Sequence, residues 1–180
     1  KKALAFLMAA VMLMSMLTAC GNKDNAADNN DNNDVNTEET DKAAADKVAA
    51  LIDAIYVQER TEETDAQCEA AKAAWDALTD AQKALVEGEE ASPDYFGLDT
   101  GDASKDDPRN QGESGEKELL VVSFGTSFND CRVGEIMCIE YALEEANPDW
   151  SVRRAFTAQI IINHILARDG EKIDNLEQAL

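Results

Sequence analysis

The sequence predicts an α/β fold, the start of an open parallel sheet preceded by a small all-α segment. Two apolar runs carry the prediction, "ELLVVSF" (Glu118–Phe124) and "SVRRAF" (Ser151–Phe156), and a helical pattern follows each of them. Strand, helix, strand, helix is the usual order in parallel sheets. Because the chain ends at Leu180 within another helical pattern, we expect this βαβα domain to be truncated.

Residues 1–20 have the layout of a secretory signal. Two lysines precede an apolar run from Ala3 to Leu17, which is shorter than the ~20 residues of a membrane-spanning helix. "LTAC" before Gly21 resembles the bacterial lipobox, so Cys20 is the predicted lipidation site. We therefore predict an extracytoplasmic protein that is lipid-anchored to the cell membrane. A plain secretory signal with an incidental cysteine is the alternative.

Three segments separate this leader from the α/β part. Residues 21–40 are rich in Asn and Asp and predict a disordered tether. Residues 41–88 predict a small helical module with a capping box at Thr79 and Gln82. Its pieces "LIDAI" and "W-DALTDAQKALV" resemble small helical modules of secreted proteins from Gram-positive bacteria, which implies a spacer or interaction role. Residues 89–117 carry Pro, Gly and many Asp, and predict a linker.

The net charge, the cysteine spacing and the single histidine argue against nucleic-acid binding and against a metal site. The chain has 37 acidic and 16 basic side chains, so its net charge of −21 argues against a nucleic-acid partner. The cysteines form no CxxC pair, and we interpret Cys131 and Cys138 as buried apolar thiols. The only histidine, His164, lies in the middle of a helical pattern. We expect it at the surface or in helix packing rather than on a metal.

The two helices of the α/β part have recognisable faces and ends. The first runs to about Ala146, with Ile139 on its inner stripe and Glu140 turned outward. The second is predicted to be capped by Thr157 and ended by Gly170.

The turn after the first strand is the candidate binding site. Ligands of open α/β sheets lie beyond the carboxyl ends of the strands, where "SFGTS" (Ser123–Ser127) stands. Gly125 permits a positive φ or a close backbone approach, and the hydroxyls and helix amides suit the anionic edge of a ligand. From these residues alone, an ordinary strand–helix turn stays open as the alternative.

A resemblance to a known family sharpens this expectation. "ELLVVSFGTSFND" and "PDWSVRRAFTAQIIINHILARDGEKIDN" resemble the start of the anaerobic sirohydrochlorin cobaltochelatases, of the class II chelatase superfamily, over residues 118–180. The resemblance implies two similar α/β domains facing a cleft, where Co²⁺ enters sirohydrochlorin and protons leave. It places substrate binding at Ser123, Phe124, Gly125, Thr126, Ser127, Phe156 and Thr157.

The resemblance assigns no catalytic or metal-binding residue to this chain. The family's metal-contacting histidines lie on strands beyond Leu180, and the histidine that small relatives carry in the first turn is replaced here by "SFGT". No covalently bound cofactor is expected, and cobalt is the substrate metal.

We therefore expect the N-terminal fragment of a lipid-anchored cobaltochelatase-like protein, inactive alone. Its implied partners are sirohydrochlorin, Co²⁺ and, through Cys20, the membrane, and homo-oligomerisation stays open. One alternative is an extracytoplasmic lipoprotein that captures a tetrapyrrole or a metal without catalysis. A weaker one is a spacer or adhesion protein led by the helical module.

Overall fold

The computed structural model describes residues 31–110 and 115–180, with side chains from residue 37 onward. The predicted signal, Cys20 and residues 21–30 of the predicted tether lie outside these residues. Residues Asp34–Leu180 form one compact unit. No helix in the described ranges combines the length and the apolar character needed to cross a membrane.

The N-terminal part of the unit is helical. It contains α1 (Asp31–Ile55), α2 (Thr64–Asp76) and α3 (Asp80–Lys83). Residues 31–40 of the predicted tether therefore lie in α1. The predicted capping box is confirmed, since the backbone N–H of Gln82 donates to the Thr79 hydroxyl at 3.2 Å and the Thr79 N–H donates to the Gln82 side chain at 2.9 Å.

The segment predicted as a linker contributes to the core of these helices. Ile52 and Trp75 are buried together with Tyr95 and Phe96, and the rings of Trp75 and Phe96 meet edge to face at 5.7 Å. Residues 91–96 are thus packed against the helical module rather than extended between two bodies. A 3₁₀ turn follows at Ala103–Lys105.

The α/β part contains the predicted pair of parallel strands. β1 (Glu118–Ser123) pairs with β2 (Ser151–Phe156) in register from Glu118 opposite Ser151 to Ser123 opposite Phe156. β2 is largely buried, whereas β1 is mostly half-buried and Val122 is 47% exposed. The continuous apolar run of β1 is typical of a strand covered on both faces, but one face of β1 is partly open to solvent here. Among the described residues, β1 has a strand neighbour on one side alone.

The helix after β1 is interrupted. It consists of α4 (Asn129–Cys131), a π-helical turn (Arg132–Ile136) and α5 (Met137–Ala146). Ile139 is 57% exposed and Glu140 is fully buried, so the predicted inner and outer faces are wrong at both positions. A π-helical turn holds one residue more than an α-helical turn, which rotates every later side chain about the helix axis.

The same helix also overturns the prediction for the cysteines. Cys131 and Cys138 are both exposed thiols. Arg132, which lies between them in the sequence, points inward, because its guanidinium forms an ion pair with the buried carboxylate of Asp106.

Helix α6 (Gln159–Asp169) lies between two cores, and α7 (Leu176–Ala179) follows it. Ile162 and Ile165 pack with Phe156 of the sheet, whereas Leu166 and Ala167 pack with the helical module. Gly170 ends α6 with a φ of 70°, as predicted. Helix α6 therefore joins the module to the sheet.

A buried ion cluster fastens the segment before β1 to the α/β part. Arg154 of β2 donates to both oxygens of Asp106, at 2.6 and 3.0 Å, and to both oxygens of Glu140, each at 2.7 Å. Arg132 donates to Asp106 at 2.6 Å and also pairs with Glu171. Burial opposes the ionisation of Asp106, but the hydrogen bonds and charges of the two arginines outweigh it and lower the pKa of Asp106.

Candidate functional site

The two predicted strand-end segments lie side by side. The backbone N–H of Thr157 donates to the carbonyl of Ser123 at 2.9 Å, and the N–H of Ala158 donates to the carbonyl of Phe124 at 3.2 Å. Both hydrogen bonds continue the strand pairing past its last register pair. The sequence-predicted residues are thus brought together at the carboxyl edge of the sheet.

Gly125 is required by the packing of this edge. Its φ is +94°, in the region that favours glycine, and a Cβ built on it would lie 2.4 Å from Cδ2 of Phe156. The direction that a side chain would take is therefore filled by the Phe156 ring, which is fully buried. The packing of the fold alone therefore explains why this position is a glycine, without any contact to a ligand.

The other side chains of the Ser123–Ser127 turn are differently placed. Phe124 is 65% exposed, so its ring is free to contact a ligand. The hydroxyl of Ser123 is buried and has no hydrogen-bond partner among the described residues. Thr126 accepts from the backbone N–H of Phe128 at 3.1 Å, and the carbonyl of Ser127 accepts from Arg168 at 2.7 Å. Phe124 is thus the side chain of this turn that is open to a ligand, whereas the Ser123 hydroxyl faces the interior.

A groove of about 620 Å³ opens beside the end of β2. This volume suits a small-molecule ligand. Phe156 and Thr157 are the sequence-predicted residues that line it. No residue of the Ser123–Ser127 turn lines it, although this turn is bonded to Thr157 through the Ser123 carbonyl. The other lining residues were missed by the sequence analysis: Gln58, Glu59, Arg60, Gln159, Asn175, Leu176 and Glu177.

Helix α6 begins with a cap from a distant part of the chain. Its N-cap residue is Ala158, which has no side-chain acceptor, so the prediction that Thr157 caps this helix is wrong. The backbone N–H of Thr157 is already used by Ser123. Instead, the side-chain oxygen of Gln58 accepts from the backbone N–H of Gln159 at 3.1 Å.

A chain of side-chain amides continues inward from this cap. Asn175 donates to Gln159 at 3.0 Å, Gln159 donates to Asn163 at 2.8 Å, and Asn163 donates to the carbonyl of Ile55 at 2.8 Å. Gln159 and Asn163 are both buried. Two amides four residues apart, with isoleucines between them, were the available sequence signal for this network. The network fixes the end of α1 to the edge of the groove.

His164 packs in the module core on another side of α6. Its ring stacks on Tyr95 with 4.4 Å between centroids and meets Phe96 edge-on at 5.8 Å. Burial, reinforced by the charge of Arg168, lowers the pKa of His164 to about 4. Of the two placements that the sequence left open for this residue, the surface and helix packing, the structure shows helix packing. Within the described ranges, no group of three or more His, Cys, Asp or Glu side chains is arranged to hold a metal ion.

Comparisons with known proteins match the α/β part. Residues 117–180 match the model of the cobalt chelatase family (CbiK). Over 65 residues, the chain is 46% identical to the sirohydrochlorin cobaltochelatase of Salmonella typhimurium. The match covers 36% of this chain and 25% of that relative, so the chain spans about a quarter of the relative's length. No solved structure matches the chain.

Proposed function

We propose that this protein binds sirohydrochlorin and takes part in inserting cobalt into it, because residues 117–180 match the cobalt chelatase family. One observation carries the proposal. The family match covers the two strand-end turns that meet at the carboxyl edge of the sheet, beside a groove of small-molecule size.

The residues of this edge supply binding and orientation. The exposed ring of Phe124 offers a flat apolar surface on which a planar macrocycle can stack. Thr157 is exposed at the groove and offers a hydroxyl to a polar substituent of the ligand. Insertion of Co²⁺ replaces protons on the macrocycle nitrogens, which needs a base. His164 is unsuited to that role, because it does not line the groove and its ring stacks on Tyr95.

Phe124 is the residue on which this binding mode is tested. Phe124→Ala should weaken sirohydrochlorin binding by about tenfold, the loss expected for one aromatic contact of about 1.4 kcal/mol. The measurement is an absorption titration of the folded protein. Trp150→Ala is the control, because Trp150 is also an exposed aromatic residue, 41% accessible, but precedes the amino end of β2. Equal effects of the two substitutions would contradict the proposed edge.

A second candidate is a tetrapyrrole- or metal-binding protein that performs no insertion. It is favoured by the finding that, among the described residues, no group of three or more His, Cys, Asp or Glu side chains is arranged to hold a metal ion. The same titration separates the candidates once Co²⁺ is added. A spectral change to the cobalt complex that is faster than the protein-free reaction supports the chelatase and contradicts the second candidate.

We also propose that the protein is anchored outside the cytoplasm through Cys20, on the strength of the "LTAC" lipobox. Cys20→Ala should release the protein from membranes, because the acyl chains supply the affinity. Membrane fractionation of cells making either form measures this. Retention of the Cys20→Ala protein in the membrane fraction would contradict the lipobox interpretation.

A further inference from the structure

The connection between α1 and α2 forms part of the wall of the strand-end groove. Gln58, Glu59 and Arg60 line the groove together with Phe156 and Thr157. The first three lie outside residues 117–180, where the family match is found. This wall is therefore a feature that the N-terminal module adds to the site.

Four contacts hold the connection in place. Gln58 caps α6, and the carbonyl of Ile55 accepts from the buried Asn163. Asp65, on α2, pairs with Arg60 and also accepts from Lys172, at 3.3 Å. Because these contacts reach α6 and the segment after it, the wall is fixed relative to the groove rather than a mobile loop.

The charges at this wall favour one orientation of an anionic ligand. Burial opposes the ionisation of Asp65, but Arg60 and Lys172 outweigh it and lower its pKa, so Asp65 stays ionised and orients the guanidinium. Two cations share this single carboxylate. The other charged lining residues, Glu59 and Glu177, are exposed acids that repel anions from the rest of the groove.

Arg60 has the capacity to bind a second carboxylate. Its side chain is 23% exposed, and the ion pair with Asp65 uses Nη2. A guanidinium carries five N–H donors in a planar fork that matches a carboxylate. Sirohydrochlorin is a macrocycle with carboxylate side chains around its rim, which is the chemistry that this fork recognises.

We propose that Arg60 binds a rim carboxylate of the tetrapyrrole and thereby sets its orientation in the groove, with Gln58 as a positioning residue. The inference rests on the proposed function, since it assumes a tetrapyrrole at this edge. It assigns to the N-terminal module a direct part in substrate recognition.

Arg60→Gln and Arg153→Gln form a matched pair for the test. Arg153 is also a partly exposed arginine with one carboxylate partner, since its side chain is 20% exposed and pairs with Glu118 at 3.3 Å. Both changes remove one positive charge, but Arg153 does not line the groove. In an absorption titration of the full chain with sirohydrochlorin, Arg60→Gln should raise Kd about tenfold at low salt, whereas Arg153→Gln should change it less than about twofold.

Salt dependence and a charge-conserving variant complete the experiment. Binding to the wild-type protein should weaken with added salt more steeply than binding to Arg60→Gln, because an ion pair with the ligand is lost in the variant. Arg60→Lys keeps the charge but not the planar fork, and should raise Kd about threefold.

Each outcome is decisive for one proposal or the other. A wild-type protein that binds no sirohydrochlorin overturns the proposed function together with this inference. A wild-type protein that binds, with Arg60→Gln equal to Arg153→Gln in affinity and salt dependence, overturns the role of Arg60 alone. If Arg60→Gln loses the wild-type circular dichroism spectrum, wild-type affinity in Arg60→Lys overturns that role instead.

Discussion

His164 is held in the core as a neutral aromatic ring. It stacks on Tyr95, meets Phe96 edge-on, and has a buried Nε2 without a hydrogen-bond partner among the described residues. Protonation would place a positive charge among these rings. Burial therefore lowers the pKa of His164 to about 4, below the value of 6.5 expected for an unfolded chain.

His164 should make the fold sensitive to moderate acid. The unfolded chain binds a proton at His164 between pH 6.5 and about 4 and the folded chain does not, so stability falls as the pH decreases through this window. The loss attributable to this residue is on the order of 3 kcal/mol. Urea unfolding at several pH values measures it, with His164→Phe as the comparison. A wild-type slope equal to that of His164→Phe would show that His164 does not titrate as described.

Single residues with local partners were predictable from the sequence, and residues with distant partners were not. Thr79 and Gln82 are three residues apart, so their capping box is visible in the sequence. Gly170 ends α6 for an equally local reason, its positive φ. Gln58 caps a helix that begins 101 residues later, and no local pattern marks such a partnership.

At the scale of elements, the ion cluster decides which face of α5 is inside. Periodicity placed Ile139 inward and Glu140 outward, since apolar residues normally face the sheet. The π-helical turn rotates α5, and Arg154 on β2 donates to the carboxylate of Glu140 at 2.7 Å. The two strands and their parallel pairing were predictable from the apolar runs. The buried face of α5 was not, because it depends on the ion cluster that Glu140 forms with Arg154 and Asp106, and Asp106 lies in the segment predicted as a linker.

Asp106→Asn should be strongly destabilising. The change leaves Arg132 and Arg154 buried with less compensating charge, which typically costs about 3–5 kcal/mol. Asp107→Asn is the matched control, because its side chain is 35% exposed and its partner Arg109, at 3.6 Å, keeps Glu144 as a second partner at 3.2 Å. Its expected cost is therefore smaller. Chemical denaturation of both variants gives the two free energies of unfolding. A cost for Asp106→Asn no larger than that for Asp107→Asn would show that the cluster contributes little.

At the scale of the whole molecule, α6 makes the module and the sheet dependent on each other. One side of α6 packs on Phe156 and the other on the core of Trp75 and Tyr95. The sequence divided the chain at residues 89–117, because that segment is rich in Pro, Gly and Asp. The amino-acid composition of that segment indicates turns, but it does not indicate that Tyr95 and Phe96 are buried.

The isolated segment Glu118–Leu180 should be aggregation-prone or molten. Without the module, Leu166 and Ala167 become exposed, and Asn163 loses the Ile55 carbonyl while remaining next to an apolar core. Thermal unfolding and amide NMR spectra of the fragment test this, with the chain from residue 31 to residue 180 as the control. A sharp cooperative melt and well-dispersed amide signals from the fragment would show that the α/β segment folds alone.

The contacts that fix α6 against the module also set the order in which the chain can fold during synthesis. The partner of Gln58, Gln159, is synthesised much later. The same holds for Asn163, 108 residues after Ile55, and for Lys172, 107 residues after Asp65. Contacts of such long separation slow folding, because the loop must close before any of them forms. The helices α1 and α2 therefore leave the ribosome with an incomplete apolar core, which stays open to chaperones or to translocation until α6 has been made.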